Sequence, residues 1–222
     1  MGKKGNLRPY RPITVGQGRQ TDLRRKVEIR ESSYSILITT NGKSTEVAYL
    51  EELRKVSLVS QRIARYKVKF FGKAPGDLLR VSLAELHRLG YDHLYAVTDL
   101  DEFGDAVVAA AVSDFAARRA RLVVCNPCFE AWLVLHFEDC RAHLHSAAEA
   151  KERLRRHVAD YDKARLDFSK FADRVEVAAQ YARRVENAVG TNPSSTMWMI
   201  IDGLSNPDFH DERLNRDEGQ RG

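Results

Sequence analysis

Two aspartates separated by one residue follow an apolar run in the segment YAVTDLDEF. Asp99 and Asp101 thus come at the predicted end of a strand, and in a parallel sheet ligands collect beyond such carboxyl ends. Residues two apart on a strand point to the same side, so both carboxylates can face one site unless the chain has already turned. Aspartate is also common at helix starts, so capping of the following helix explains the spacing equally well.

A second group of polar side chains follows the apolar run in ILITTNGKSTEVAYL. Here Asn41-Gly42 predicts a turn after a strand, and Glu46 falls in the first turn of the helix that comes next. Clustered carboxylates repel one another unless a cation lies between them, and their hard oxygen atoms suit Mg²⁺ or Mn²⁺ rather than zinc. Such a cation can activate water and stabilise a phosphoryl group during displacement. The two strand ends therefore predict hydrolysis of phosphodiester bonds.

A third acid, Glu130, lies in PCFEAWLVLHF, a segment that is apolar on nearly all sides and therefore predicts a buried helix. An unpaired buried carboxylate is costly, so Glu130 needs a cation or a proton. Two interpretations stay open, because Glu130 either binds or orients a metal, or pairs with a buried lysine or arginine. Lys163, in DYDKARLDF, could stabilise charge on a phosphoryl group, although a surface loop explains it as well.

The segments that must position these side chains alternate between strand-like and helix-like patterns. Strands are predicted at 33–39, about 66–71, 93–99 and 121–125, with helices at about 45–60, 76–89 and 104–119. This βαβ order predicts an α/β fold over residues 31–126, with a mainly parallel sheet flanked by helices. A C-terminal helical part packed on that core is predicted for 127–205. Its helices are predicted at about 146–158, 171–188 and 193–204.

Two Asn-Pro pairs, Asn126-Pro127 and Asn192-Pro193, each resemble an N-cap residue followed by proline at the first helical position. They predict that helices begin there. The second pair, in TNPSSTMWMII, could point a helix N-terminus at an anion, or simply cap an ordinary helix.

The chain is basic overall, with a formal net charge of +5 and a pI near 9.1. Residues 1–30 are basic and poor in apolar side chains, which predicts a flexible arm, and residues 206–222 predict a loose tail. This charge favours nucleic acid as a partner, although many proteins with such a modest excess bind none. The predicted helix at 146–158, with Lys151 and Arg153, could also track a phosphate backbone or form a solvated face.

Several classes of protein are not indicated. The longest apolar runs fall short of the roughly 18 to 20 residues that span a bilayer, and no secretory signal opens the chain. Cys125, Cys128 and Cys140 are an odd number of thiols, which favours free core cysteines over a disulfide framework or a zinc site. We therefore expect a cytoplasmic protein. No Walker loop is present, so any nucleotide hydrolysis would belong to a partner.

Three segments, ILITTNGKSTEVAYL, YAVTDLDEF and NPCFEAWLVLHF, occur in the order found in a known family. From about residue 33 to 204 the chain resembles the RloB family, which is related to the abortive-infection protein AbiLii. The resemblance implies a Toprim-like fold, metal-dependent phosphoryl chemistry, a role in phage defence and often a partner ATPase. It assigns the Toprim Asp-x-Asp to Asp99 and Asp101, and the Thr-Glu pair to Thr45 and Glu46.

The chain departs from the family pattern at position 41, where Asn41-Gly42 replaces the usual Glu-Gly. Asparagine offers a carbonyl oxygen to Mg²⁺, but it brings no negative charge and cannot act as a general base. Either Glu46 and Glu130 hold the metal instead, or Asn41 serves as a variant ligand, or the site has become a binding site.

We therefore predict a Mg²⁺- or Mn²⁺-dependent nuclease that cleaves DNA or RNA in phage defence. The predicted metal ligands are Asn41, Glu46, Asp99, Asp101 and Glu130. The predicted catalytic residues are the four acids and a lysine: Glu46, Asp99, Asp101, Glu130 and Lys163. The alternative is a non-catalytic module that binds nucleic acid or a partner protein through a degenerate Toprim site.

Overall fold

The computed structural model of the chain describes residues 33–59, 61–185, 187–206 and 209. The predicted basic arm at 1–30 and most of the predicted tail at 206–222 lie outside these residues, so both stay predictions. All of the described residues belong to one compact unit, Ser32–Gly222.

Among the described residues, a five-stranded sheet in the order β2-β1-β3-β4-β5 forms the centre of the fold. Its strands are β1 Tyr34–Thr40, β2 Ile63–Phe70, β3 His93–Asp99, β4 Arg121–Asn126 and β5 Ser194–Ser195. The first four strands pair in parallel, and the short β5 pairs antiparallel with the end of β4. The predicted α/β class with a mainly parallel sheet is confirmed.

Helices cover both faces of this sheet. The described residues contain α1 Thr45–Leu53, α2 Pro75–Leu89, α3 Asp105–Ala117, α4 Phe129–Val134, α5 Ala147–Arg155, α6 Val175–Ala182 and α7 Trp198–Ser205. Helices α2 and α3 pack on one face, whereas α1 and the C-terminal helices pack on the other. Within this part of the chain, no helix is long and apolar enough to cross a membrane.

The central strands are buried on both faces, as their unbroken apolar sequences predict. In β1, Ile36, Leu37 and Ile38 are all fully buried, and successive residues join opposite hydrophobic clusters. Tyr95 and Ala96 repeat this alternation in β3. Packing on two sides therefore fixes where each strand ends and where the polar residues beyond it lie.

The chain leaves β1 and β3 in opposite directions. From β1 it runs through α1 to β2 at one edge of the sheet, and from β3 it runs through α3 to β4 on the other side. In open α/β sheets, ligands bind in the crevice that forms where the strand order reverses in this way. The segments that begin at Asn41 and at Asp99 follow these two strands, so the fold brings both to this crevice.

Helix α1 is shorter than predicted, since it ends at Leu53 rather than near residue 60. The residues that follow form tighter turns, in which the amides of Val56 and Val59 donate to carbonyl groups three residues earlier. These turns pack Val56, Leu58 and Val59 against the core, so burial of apolar side chains overrides continuation of the helix. The helix predicted at 171–188 is likewise shorter, because α6 covers Val175–Ala182.

The helix starts predicted at the two Asn-Pro pairs are wrong. The peptide bonds of Asn126-Pro127 and Asn192-Pro193 are both cis, and α4 begins at Phe129. The buried Asn126 side chain instead donates to the carbonyl groups of Ala188 and Thr191, at 3.0 and 2.9 Å. A buried amide must find such partners, and this requirement outweighs local capping preference.

The segment directly after Pro193 does not form the start of a helix. Ser194 and Ser195 form β5, and α7 begins at Trp198. The hydroxyl of Thr196 accepts a hydrogen bond from the Val124 amide at 2.9 Å. The Ser194 hydroxyl instead donates to the Ala188 and Thr191 carbonyl groups, so the predicted placement of these hydroxyl groups at a helix N-terminus is wrong.

A buried histidine, His136, links the C-terminal part to α1. Its Nδ1 atom lies 3.1 Å from the Trp132 carbonyl, and its Nε2 atom lies 3.0 Å from the Tyr49 hydroxyl. Burial lowers the pKa of His136 to about 3, so the ring is neutral at pH 7 and accepts a hydrogen bond from Tyr49. Since α1 begins at Thr45, this bond helps to hold the helix that carries Glu46.

Removal of the Tyr49 hydroxyl should destabilise the fold measurably. The Tyr49→Phe variant leaves Nε2 of His136 buried without its donor, so we expect a loss of about 1–3 kcal/mol in unfolding free energy by urea denaturation. Tyr181→Phe is the matched control, because Tyr181 contacts Arg184 through its ring and its carbonyl group. Equal stability of the two variants would contradict this role of Tyr49.

Candidate active site

The crevice between β1 and β3 begins with a tight turn at Asn41 and Gly42. The backbone amide of Asn41 donates to the Val97 carbonyl at 3.3 Å, which ties the end of β1 to β3. The Thr40 hydroxyl accepts a hydrogen bond from the Gly42 amide at 3.0 Å and so closes the turn. This turn leads the chain into α1, whose first turn contains Glu46.

Glu46 folds back over this turn, and its carboxylate lies against Gly42. A Cβ atom at position 42 would lie 2.1 Å from the carboxyl carbon of Glu46, so glycine is needed for this placement. Glu46 is 2% exposed, and its Oε2 atom has no hydrogen-bond partner among the described residues. Burial raises the pKa of Glu46, and the carboxylates of Glu130 and Glu102 raise it further, while its own backbone amide and Lys163 oppose them.

Asp99 ends β3, and the chain turns directly after it. The Leu100 amide donates to the Cys125 carbonyl at 2.9 Å, and the Asp101 amide donates to the Pro127 carbonyl at 3.0 Å. The Asp101 side chain is exposed, whereas Oδ1 of Asp99 is buried and lacks a hydrogen-bond partner in the described part of the chain. The two aspartates are therefore not equivalent, because Asp99 lies inside the crevice and Asp101 lies at its rim.

Glu130 is 3% exposed in α4, as the apolar pattern around it predicts. Its Oε1 atom accepts a hydrogen bond from the Tyr161 hydroxyl at 3.1 Å and lies 3.8 Å from Nζ of Lys163. Its Oε2 atom is buried and has no hydrogen-bond partner within the residues described. One oxygen of Glu130 thus belongs to a lysine pair, while the other stays available to a ligand.

The loop that contains Tyr161 and Lys163 is tied to α1. The Thr45 hydroxyl donates to the Lys163 carbonyl at 2.9 Å, which holds this loop against the first turn of the helix. The Lys163 side chain is 50% exposed, so its ammonium group also reaches solvent. Burial opposes its charge, but the neighbouring acids, which include Glu130, Glu46 and Asp99, together raise the pKa of Lys163. Lys163 is therefore a charged residue of the crevice rather than of a separate surface loop.

The other predicted acids influence the ionisation of Asp99. Burial raises the pKa of Asp99 well above its usual range, and the carboxylates of Glu46, Glu130 and Asp101 raise it further, with Lys163 opposing them. The structure thus brings together all four acids and the lysine that were predicted as catalytic residues.

The Asn41 side chain contacts a residue that the sequence analysis did not single out. Its Nδ2 atom donates to Oε2 of Glu102 at 2.8 Å, and this hydrogen bond is exposed to solvent. Burial raises the pKa of Asp101, and the Glu102 carboxylate raises it further. The signal available in the sequence was that Glu102 directly follows the Asp-x-Asp pair.

The donor atoms of the crevice suit a hard divalent cation. Glu46, Asp99 and Glu130 each present a buried carboxylate oxygen without a hydrogen-bond partner among the described residues. Across these same ranges, however, no three His, Cys, Asp or Glu side chains are arranged to hold a metal ion by themselves. Mg²⁺ commonly uses one or two carboxylates together with water and substrate phosphates, so the crevice fits an ion that the substrate helps to hold.

The other candidate sites have structural explanations. Cys125, Cys128 and Cys140 are free and buried, and burial raises the pKa of each thiol, as expected for core cysteines. In the basic helix α5, Arg153 forms an ion pair with Glu138, so its charge is already compensated within the protein.

Comparison with known proteins identifies the family. A family model described as RloB-like protein matches residues 36–204. The chain belongs to the RloB-like family. The matched range includes every predicted site residue, from Asn41 to Lys163. No curated protein and no solved structure matches this RloB-like chain significantly, so its Toprim likeness stays a prediction.

Neutralisation of Asp99 should stabilise the fold at neutral and alkaline pH. Its folded-state pKa lies well above the usual 3.8, so the ionised carboxylate disfavours the folded state there. We expect Asp99→Asn to melt at a higher temperature than the wild type in metal-free buffer near pH 8. The difference should shrink as the pH falls towards about 4, because the folded wild type then binds a proton at Asp99.

The matched control for this experiment is Asp105→Asn, which changes an exposed aspartate at the start of α3. This control should show no gain in melting temperature at either pH. If Asp99→Asn melts below the wild type near pH 8 by circular dichroism, the electrostatic account of the crevice is wrong.

Proposed function

We propose that the chain is a Mg²⁺- or Mn²⁺-dependent nuclease that hydrolyses phosphodiester bonds of DNA or RNA at a Toprim-like site. The observation that carries this proposal is the group of buried carboxylate oxygens on Glu46, Asp99 and Glu130, which lack hydrogen-bond partners among the described residues. Such buried charges require a cation or protons. They lie at the reversal of strand order, where α/β proteins bind ligands.

Asp99 and Glu46 would hold the cation, with Asp101 at the rim and a substrate phosphate and water completing its shell. When bound, such a cation supplies a nucleophilic water at neutral pH and stabilises charge on the phosphoryl group. Asn41 would contribute at most its carbonyl oxygen, because its amide nitrogen already donates to Glu102.

Lys163 and Tyr161 have distinct tasks in this proposal. The half-exposed ammonium group of Lys163 is available to a phosphate oxygen of the substrate and would stabilise charge that develops there. The Tyr161 hydroxyl orients Glu130 through its hydrogen bond to Oε1. Because Thr45 holds the Lys163 backbone, the position of the Lys163 ammonium group depends on α1, which also carries Glu46.

Membership of the RloB-like family supports extending this proposal to phage defence. The family resemblance also supports a partner ATPase, which would supply any nucleotide hydrolysis that the process requires.

A second candidate is a non-catalytic module that binds nucleic acid or a partner protein. It is favoured by Asn41, which brings no charge to a position where the resemblance implies an acid. The pairing of Lys163 with Glu130 favours it as well, because this pair compensates part of the negative charge without a metal.

Cleavage assays on single- and double-stranded DNA and RNA test the two candidates directly. With Mg²⁺ or Mn²⁺ the wild type should cleave at least one substrate, and a chelator should abolish cleavage. Asp99→Ala and Glu46→Gln should each lower the rate by about 100-fold or more, because several kcal/mol of charge stabilisation is lost. Glu152→Gln, on the exposed side of α5, should cleave like the wild type.

Two outcomes would overturn these assignments. Cleavage that survives in Asp99→Ala would show that the reaction occurs elsewhere in the chain. Salt-dependent binding of nucleic acid without cleavage under either metal would establish the binding module instead.

Gly42→Ala tests the placement of Glu46 without changing a charged residue. The added Cβ atom would lie 2.1 Å from the Glu46 carboxyl carbon, so the carboxylate must move while the strands stay in place. We expect the cleavage rate to fall by about 10-fold or more, as for loss of a group that orients a metal site. Gly76→Ala is the matched control, since a Cβ atom there meets nothing within 4 Å. Equal activity of the two variants would refute the placement.

A further inference from the structure

Glu102 reaches from the end of β3 to the end of β1. It directly follows Asp101, and its Oε2 atom accepts the 2.8 Å hydrogen bond from Nδ2 of Asn41. The two residues are 61 positions apart, so this bond joins the two strand ends that form the crevice. An exposed glutamate can sample many rotamers, and the hydrogen bond from Asn41 selects those that keep its carboxylate at the crevice.

The charge of Glu102 acts on the acids of the crevice. Its carboxylate contributes to raising the pKa of Asp101 and of Glu46, in each case after the larger effect of burial. The geometry agrees with this influence, because the hydrogen bond from Asn41 holds the Glu102 carboxylate at the end of β1, where the turn that leads to Glu46 begins. Independent of these shifts, the buried side chains of Glu46 and Glu130 each keep an oxygen without a hydrogen-bond partner in the described ranges, as a ligand-binding crevice requires.

Position 41 has the amide of asparagine, where the resemblance to the family implies a carboxylate. A glutamate at this position would place a second negative charge beside Glu102, and like charges at such a distance repel. Asparagine instead donates a hydrogen bond to Glu102, so the pair retains one carboxylate and fixes its position. Residue 41 itself carries no negative charge, but Glu102, which Asn41 holds by this hydrogen bond, carries one.

We propose that Glu102 supplies the carboxylate that position 41 lacks, contributing negative charge to a divalent cation in the crevice, and that Asn41 is its positioning residue. This inference rests on the proposed metal-dependent function. It gives Asn41 a task other than that of a metal ligand, and it explains how the site tolerates the loss of an acid.

Mn²⁺ binding to the full chain, measured by isothermal titration calorimetry at pH 7, tests the inference without any need for cleavage. Glu102→Gln should weaken Mn²⁺ binding by about 10-fold, and Asn41→Ala should weaken it by a smaller factor, because the carboxylate is retained but no longer held. The double variant Asn41→Glu with Glu102→Gln moves the charge back to position 41 and should restore binding. Glu152→Gln is the matched control and should bind like the wild type.

The outcomes separate this inference from the proposed function. Unchanged Mn²⁺ binding by Glu102→Gln, failure of the double variant to regain affinity, or no binding by the wild type would each overturn the inference. If Mn²⁺ binding depends on Glu102 but no nucleic acid is cleaved, the inference stands and the nuclease proposal fails. If the wild type cleaves nucleic acid, and Glu102→Gln binds Mn²⁺ and cleaves as well as the wild type, the nuclease proposal stands and the inference about Glu102 fails. Melting temperatures without Mn²⁺ check that each variant is folded.

Discussion

Buried carboxyl groups beyond the carboxyl ends of β1, β3 and β4 are the constraint on which the rest of the structure depends. Glu46, Asp99 and Glu130 lose most of their contact with water, and each retains a buried oxygen without a hydrogen-bond partner among the described residues. Carboxylates in such surroundings disfavour the folded state unless a cation or a proton compensates them. The rest of the fold must therefore offset the free energy that is lost when these carboxyl groups are buried. Such unfavourable burial is common where proteins bind ligands or substrates.

The C-terminal part of the chain completes the crevice as well as covering one face of the sheet. Tyr161 orients Glu130, and Lys163 adds positive charge from a loop that Thr45 holds in place. His136 connects this part to α1 through Tyr49, so the helix that carries Glu46 is held at both its start and its middle. The N-terminal half of the sequence supplies Glu46, Asp99 and Asp101, and the C-terminal half supplies Glu130 and Lys163, so the two halves form one site.

Much of the fold could be predicted from the sequence, because β1 and β3 are apolar on both faces and alternate with helical segments. The burial of Glu130 followed from its apolar neighbours in the same way. The place of Lys163 could not be predicted, since the bond from Thr45 joins residues 118 positions apart. The prediction of a helix start at Asn126-Pro127 was wrong because the Asn126 side-chain amide bonds to Ala188 and Thr191, which lie far along the chain. Glu102 was missed for the same reason, as only the contact with Asn41 distinguishes it from an ordinary loop acid.

At the reversal of strand order, a divalent cation is proposed to neutralise Asp99 and Glu46. The most direct measurement is anomalous diffraction from crystals of the full chain soaked in Mn²⁺. The account predicts an anomalous peak in contact with the Asp99 and Glu46 carboxylates, with Lys163 beside it rather than between them. Saturating Mn²⁺ that gives no peak in the crevice, with the ammonium group of Lys163 lying between these carboxylates instead, would contradict it.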